Sequence, residues 1–147
     1  MKKIIIALSL FVLIISNLFI ACTPKYAEDD EYKEIVTMAK SLQDAYINKD
    51  DFQVAGTCGR SVEMVNGELH VYIIIPFSAL KQSGQKDEGV AFYVDNTRLP
   101  NFAYYSAGAH ENLDKESKDI FLKACELYMT KSYQKSYTAD EINNGLK

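Results

Sequence analysis

Two residue pairs in this chain could carry chemistry, and the first joins a histidine to a carboxylate. Glu63 and His70 lie on either side of the dipeptide Asn66-Gly67. Asn-Gly favours a two-residue hairpin turn, because both turn positions need a positive φ. In the register that this turn sets, Glu63 faces His70, as a carboxylate faces the base that it orients. A cross-strand surface pair is the simpler interpretation, so we predict no catalytic residue here.

The second pair consists of Cys58 and Cys125. The hairpin register puts Cys58 on the apolar side of its strand, and Cys125 lies at the edge of the apolar face of a predicted helix. If that helix covers that side of the sheet, the two thiols can form a disulfide, which persists in an exported protein. Two separate buried thiols are the alternative. No spacing of histidines, cysteines or carboxylates is typical of a metal site, so we predict neither a metal nor a cofactor.

A group of tyrosines is the candidate binding site, since the chain has ten Tyr and no Trp. Alternation along the predicted strands puts Tyr72 and Tyr93 on the side away from the core, and Tyr105 lies in a later aromatic segment. Tyrosine is enriched at binding surfaces, where it supplies a large and rigid contact area. If helices cover only the opposite side, these three residues form an open binding face. Ordinary strand residues on a half-exposed sheet are the alternative.

The elements that position these residues follow from hydrophobic periodicity. Apolar residues recur at three- and four-residue spacing over 29–48 and again over 114–132, which predicts two amphipathic helices. Between the helices, alternation predicts the two arms of the hairpin, with Pro76 ending the second arm, and two further strands at 90–95 and 102–107.

The fold class follows from the order of these elements. Strands joined by short loops pair antiparallel, and two amphipathic helices need a sheet face to cover. We therefore predict an α+β domain over residues 29–147 with two layers, in which a helix, a four-stranded antiparallel sheet and a second helix follow each other. Near the C-terminus, Thr138 followed by Glu141 predicts a capping box that opens a last short turn ending at Gly145.

The first 21 residues have the layout of an export signal. Lys2 and Lys3 precede an apolar run from Ile4 to Ala21. The run ends in Leu18-Phe19-Ile20-Ala21-Cys22, which resembles the lipobox of bacterial lipoprotein precursors: small or aliphatic residues lead up to a cysteine at the edge of the apolar segment. An uncleaved membrane helix is the alternative, because an apolar stretch of 18 residues is at the lower limit for spanning a bilayer.

The lipobox resemblance implies an address for the protein. It implies cleavage before Cys22, attachment of a diacylglycerol (palmitate-type chains) to the Cys22 sulfur, and a short tether over residues 22–28. Two or three acyl chains anchor a protein stably. Thr23 stands where an aspartate would imply retention in the inner membrane, so the expected home is the cell envelope, at the outer membrane if the organism has one.

Charge excludes some partners for the remaining domain. The chain has 16 basic and 20 acidic side chains; removing Lys2 and Lys3 with the leader leaves 14 against 20, or a net charge of −6. A domain of this sign lacks the basic patch of a nucleic-acid binder, and an anionic lipid surface repels it. Attachment to the membrane must therefore come from the lipid on Cys22.

The sequence favours a membrane-tethered envelope lipoprotein with a non-catalytic binding or interaction domain, whose protein or small-ligand partner it does not identify. A structural envelope lipoprotein is one alternative. The other is a small envelope enzyme that uses His70 with Glu63, or Cys58 with Cys125.

Overall fold

The structure, a computed structural model, describes residues 29–99 and 113–147. These residues form an α+β fold, as predicted, with three α-helices and one antiparallel sheet of six strands. In chain order the elements are α1 (Asp30–Asp44), a 3-10 turn (Lys49–Asp51), β1 (Gln53–Val54), β2 (Cys58–Val65), β3 (Glu68–Leu80), β4 (Lys86–Val94), β5 (Thr97–Arg98), α2 (Lys115–Thr130), β6 (Lys135–Tyr137) and α3 (Ala139–Gly145).

Both predicted amphipathic helices are present, as α1 and α2, and the predicted capping box opens α3. The Thr138 hydroxyl accepts the Glu141 N–H at 3.3 Å, and the Glu141 carboxylate accepts the Thr138 N–H at 2.7 Å. Helix α2 ends at Thr130, and its C-cap residue, Lys131, has the left-handed φ of 54°. The chain then leaves the helix direction and enters the sheet as β6.

The sheet has the strand order β5-β4-β3-β2-β6, and β1 pairs with β3 in line with β2. The predicted hairpin is confirmed residue by residue: Val65 pairs with Glu68, Met64 with Leu69 and Glu63 with His70. Asn66 and Gly67 have φ values of 52° and 91°, as the two-residue turn requires.

The predicted strand end at Pro76 is wrong, because β3 continues to Leu80. The carbonyl of Pro76 accepts the Ala55 N–H at 2.9 Å, so the nitrogen of Pro76, which carries no hydrogen, faces the same side. This edge of β3 lies in the gap between β1 and β2. β1 pairs with β3 as far as Phe77, and the pairing of β2 with β3 begins at Ile74. Proline therefore costs the sheet no ladder hydrogen bond at this position.

The described residues bury two hydrophobic cores, one on each face of the sheet. Helices α1 and α3 cover one face, and α2 covers the other. We call these the α1 core and the α2 core. The α1 core includes Ile35, Leu42, Cys58, Ile73, Ile75, Phe77, Tyr93, Tyr137 and Ile142. The α2 core includes Val65, Tyr72, Ile74, Phe92, Val94, Phe121, Ala124, Cys125 and Leu127.

The predicted two-layer arrangement with four strands is not confirmed, since helices pack on both faces of a sheet with six strands in the described residues. The physical reason lies in β3, where residues 72–75 are all buried. A continuous apolar run is typical of a strand covered on both sides, whereas alternation is typical of a strand with one wet face. The predicted strand at 102–107 lies outside the described residues.

Candidate functional site

The two cysteines are free thiols in separate cores. Cys58 lies in the α1 core and Cys125 in the α2 core, and both are buried. The predicted disulfide is therefore wrong in this structure, because the sheet separates the helix that carries Cys125 from the face that carries Cys58. Burial raises the pKa of Cys58 to about 12 and that of Cys125 to about 11. Both thiols are protonated at neutral pH, which disfavours a nucleophilic role.

The predicted tyrosine face is also wrong where the structure describes it. Tyr93 pairs with Ile73, so Tyr93 and Tyr72 point to opposite faces of the sheet. Both side chains are buried, Tyr72 under α2 and Tyr93 under α1. Tyr105 lies outside the described residues. Two tyrosines covered by different helices cannot form one open surface.

His70 is buried, and its partner is a residue that the sequence did not indicate. Its Nδ1 lies 2.7 Å from Oδ2 of Asp95, and the other oxygen of Asp95 accepts the Val71 N–H at 2.9 Å. Glu63 occupies the cross-strand position opposite His70, as predicted, but no hydrogen bond joins the two side chains in the described residues. Asp95 and Asn96 both have left-handed φ values, of 49° and 64°, so they form the turn between β4 and β5.

The geometry of this cluster supports a structural role. Partial burial of Asp95 raises its pKa, but the hydrogen bonds from Val71 and His70 outweigh it and hold the pKa below the usual value. The carboxylate thereby ties the β4–β5 turn to β3. In the described part of the chain no hydrogen bond links His70 to a serine, threonine or cysteine side chain, so the arrangement of a base with its nucleophile is absent there.

Tyr72 lies beside this cluster, with its ring centroid 6.5 Å from that of His70. Burial, with the negative charges of Asp95 and Glu63, raises the pKa of Tyr72 to about 12. Its hydroxyl is buried without a hydrogen-bond partner among the described residues. Such a group costs free energy, so Tyr72 contributes packing rather than polar stabilisation.

The candidate interaction surface lies at the tip of the β2–β3 hairpin. Met64 and Leu69 pair across the strands and are 66% and 65% exposed, although both are apolar. Met64 also lines a surface groove of about 340 Å³ together with Leu122 of α2, which is 53% exposed. We call Met64, Leu69 and Leu122 the hairpin-end surface. Exposed apolar side chains that share one groove, as those of Met64 and Leu122 do, are typical of interaction sites.

The groove beside this surface has an acidic border. Its lining includes Asp119, Lys123 and Glu126 from α2. Lys123 donates to Glu126 at 2.8 Å, and the charge of Glu63 on β2 further raises the pKa of Lys123. One lysine therefore stands against three carboxylates, and the ion pairs of the described residues include neither Asp119 nor Glu63.

The hairpin register that puts Cys58 on the apolar side of its strand puts Met64 and its partner Leu69 there too, and that side is correct. It did not reveal that α1 stops short of the hairpin tip, which leaves the two side chains exposed. The role of Asp95 could have been noticed from the Asp-Asn pair, since both residues tolerate a left-handed φ. Its bond to His70 depends on the pairing of β4 with β3.

Four further observations bear on function. Cys22, the predicted lipidation site, lies outside the described residues. Within residues 29–99 and 113–147, no helix is long and apolar enough to cross a membrane, and no group of three metal-ligating side chains occurs. In comparisons with known proteins, no family model matches the chain, and no curated protein or solved structure is significantly similar to it.

Proposed function

We propose that this protein is a lipid-anchored lipoprotein of the bacterial envelope, at the outer membrane if the cell has two, and that its domain is a non-catalytic module that binds a protein partner through the hairpin-end surface. The leader and the lipobox ending in Cys22 support the anchor. The exposed pair Met64 and Leu69 is the observation that carries the binding role.

The position of this surface relative to the tether supports a protein partner rather than the bilayer. The Tyr137 hydroxyl donates to Asp29 at 2.8 Å, which fixes the start of the domain beside β6. We call this part of the sheet the anchor end. Tyr137 pairs with Cys58, and β2 runs from Cys58 to Val65, so the hairpin tip lies about 24 Å away, at about 3.4 Å per residue. This separation supports a tip that points away from the lipid and meets a protein partner.

The buried chemistry also favours binding over catalysis. His70 is held by Asp95 in a contact that connects strands, and the thiols of Cys58 and Cys125 are protonated by burial. Neither of the pairs that could have served an enzyme has its reactive group at the hairpin-end surface.

Labelling with palmitate in cells tests the anchor. The intact protein should incorporate the label, and Cys22→Ser should abolish incorporation, because the thioether forms on that sulfur. Cys58→Ser serves as the matched control, since it removes a buried thiol and leaves Cys22 in place. Equal labelling of the Cys22→Ser variant would contradict lipidation.

Photocrosslinking in cells tests the binding surface. A photoreactive phenylalanine at Leu69 should capture one discrete protein partner. The same group at Ile47 is the control, because Ile47 is 75% exposed but adjoins Tyr46, which packs on Phe77 at the other end of β3. Equal crosslinking from the two positions would show that exposure alone produces the adducts, and the proposed surface would then be wrong.

A further inference from the structure

The outer edge of β2 is paired over only part of its length. β6 pairs with residues 58–60 of β2. The side chain of Gln134 then extends this pairing: its carboxamide oxygen accepts the Val62 N–H at 3.1 Å, and its nitrogen donates to the Val62 carbonyl at 3.0 Å. Beyond Val62, no strand of the described residues pairs with this edge.

The backbone of Met64 therefore presents an open hydrogen-bonding position. Backbone groups along a strand alternate between its two edges, so Met64, two residues after Val62, points its N–H and C=O away from β3. Unpaired strand edges are templates for an added strand. Here the edge lies beside the groove that α2 borders with Leu122, Lys123 and Asp119.

The side chains around the edge indicate what an added strand carries. Met64 and Leu122 supply apolar contact area. Asp119, Glu126 and Glu63 outnumber the single cation of Lys123, and Asp119 forms no ion pair with the described residues. A strand that alternates apolar and basic side chains complements both features, since alternate residues of a strand face opposite sides.

We propose that the partner binds by strand addition: an extended segment with alternating apolar and Lys or Arg side chains pairs with the open edge of β2 at Met64 and lies in the groove beside α2. This inference rests on the proposed function, because it specifies how the hairpin-end surface engages its partner. Main-chain bonds to Met64 supply affinity, and the carboxylates select a basic segment.

A titration with synthetic peptides tests the proposal on the full-length protein in uncharged detergent. The probe is a short blocked peptide that alternates lysine and valine. Its binding should slow hydrogen exchange at the Met64 amide and should weaken as salt is added. Two matched peptides serve as controls, one with glutamate in place of lysine and one N-methylated at every second residue. Binding of either control as tightly as the probe would overturn the proposal.

Two variants separate backbone pairing from side-chain contact. Met64→Pro removes an N–H that the sheet itself does not use. This variant should bind the probe peptide about tenfold more weakly, because main-chain hydrogen bonds are lost. Met64→Val retains the N–H and should bind the probe peptide with an affinity within about twofold of that of the wild type, because only a small area of apolar contact changes. Equal affinity for the two variants would overturn strand addition, and the amide-exchange result decides the question if Met64→Pro does not fold.

Crosslinking from Leu69 distinguishes strand addition from the binding surface itself. Crosslinking from Leu69 with no effect of Met64→Pro on that crosslink would refute strand addition and leave the binding surface standing. Absence of crosslinking at Leu69 beyond the level at Ile47 would refute the surface itself, and strand addition with it.

Discussion

The two ends of the sheet differ in how their side chains are packed. At the anchor end, Tyr137 donates to Asp29, the Tyr32 hydroxyl donates to the Glu141 carbonyl at 3.0 Å, and Arg60 pairs with Glu34 at 2.6 Å. At the hairpin end, the paired apolar side chains of Met64 and Leu69 are exposed.

This difference separates the part of the domain that stabilises the fold from the part that is available for binding. The anchor end brings together α1, β6 and α3, so segments distant in the sequence hold each other through polar contacts. The hairpin tip projects beyond α1 and is formed by neighbouring residues around one turn. Its surface can exchange apolar contacts with a partner without disturbing the α1 core.

The largest expected effect concerns thiol reactivity, with one cysteine in each core. Cys58 pairs with Tyr137, whereas Cys125 lies on the helix that borders the hairpin-end groove. Raising a thiol pKa from 9.0 to about 12 lowers the thiolate fraction about a thousandfold, and raising it to about 11 lowers it about a hundredfold. A thiol-specific reagent should therefore label Cys125 faster than Cys58 in the folded protein. In unreduced protein unfolded in guanidinium chloride, both should react fully, and absence of reactive thiols would contradict the free state of the cysteines.

The next largest effect is on the free energy of unfolding, compared between a buried and an exposed apolar side chain. Ile35 is fully buried in the α1 core, so Ile35→Ala should lower the free energy of unfolding by about 2–5 kcal/mol. Leu69→Ala should change it by less than about 0.5 kcal/mol, since Leu69 already contacts solvent. Urea denaturation measures both. A comparable loss in the two variants would mean that the hairpin tip belongs to the stabilising core.

A pair of tyrosine substitutions should have opposite signs. Tyr137→Phe removes the donor to Asp29 and should lower the free energy of unfolding by about 1–2 kcal/mol. Tyr72→Phe removes a buried hydroxyl without a partner in the described residues, so stability should stay the same or rise by up to about 1 kcal/mol. Thermal and urea unfolding measure both variants. Destabilisation by Tyr72→Phe would indicate a hydrogen bond to that hydroxyl.

The smallest effect is a pH dependence at the anchor end. Hydrogen bonds from Glu31 and Tyr137 lower the pKa of Asp29 to about 2 in the folded protein. Because the folded pKa is below the unfolded value of about 3.9, the stabilising contribution is complete above that value and is lost as the pH falls towards 2. Tyr137→Phe should raise the Asp29 pKa and reduce this loss on acidification. An NMR titration of the Asp29 carboxyl measures the shift, and an unchanged pKa in the variant would contradict the assignment of its cause.

The sequence predicted best where contacts are local. The Asn66-Gly67 turn fixed the register of β2 and β3, and the capping box at Thr138 and Glu141 was confirmed atom by atom. The prediction failed where a longer loop joins two strands and does not fix the register in which they pair. The segment between β3 and β4 does not specify which residues face each other, so Tyr93 was assigned to the wrong face and Asp95 was not connected with His70.

The sequence by itself determined the α+β class, the two amphipathic helices and the hairpin, because turn conformation and residue spacing act over a few positions. Only the tertiary structure decided that α1 and α2 pack on opposite faces of the sheet, which separates Cys58 from Cys125 and leaves Met64 and Leu69 exposed. An amphipathic helix encodes that it needs an apolar surface but not which one, since both faces of β3 offer buried isoleucines.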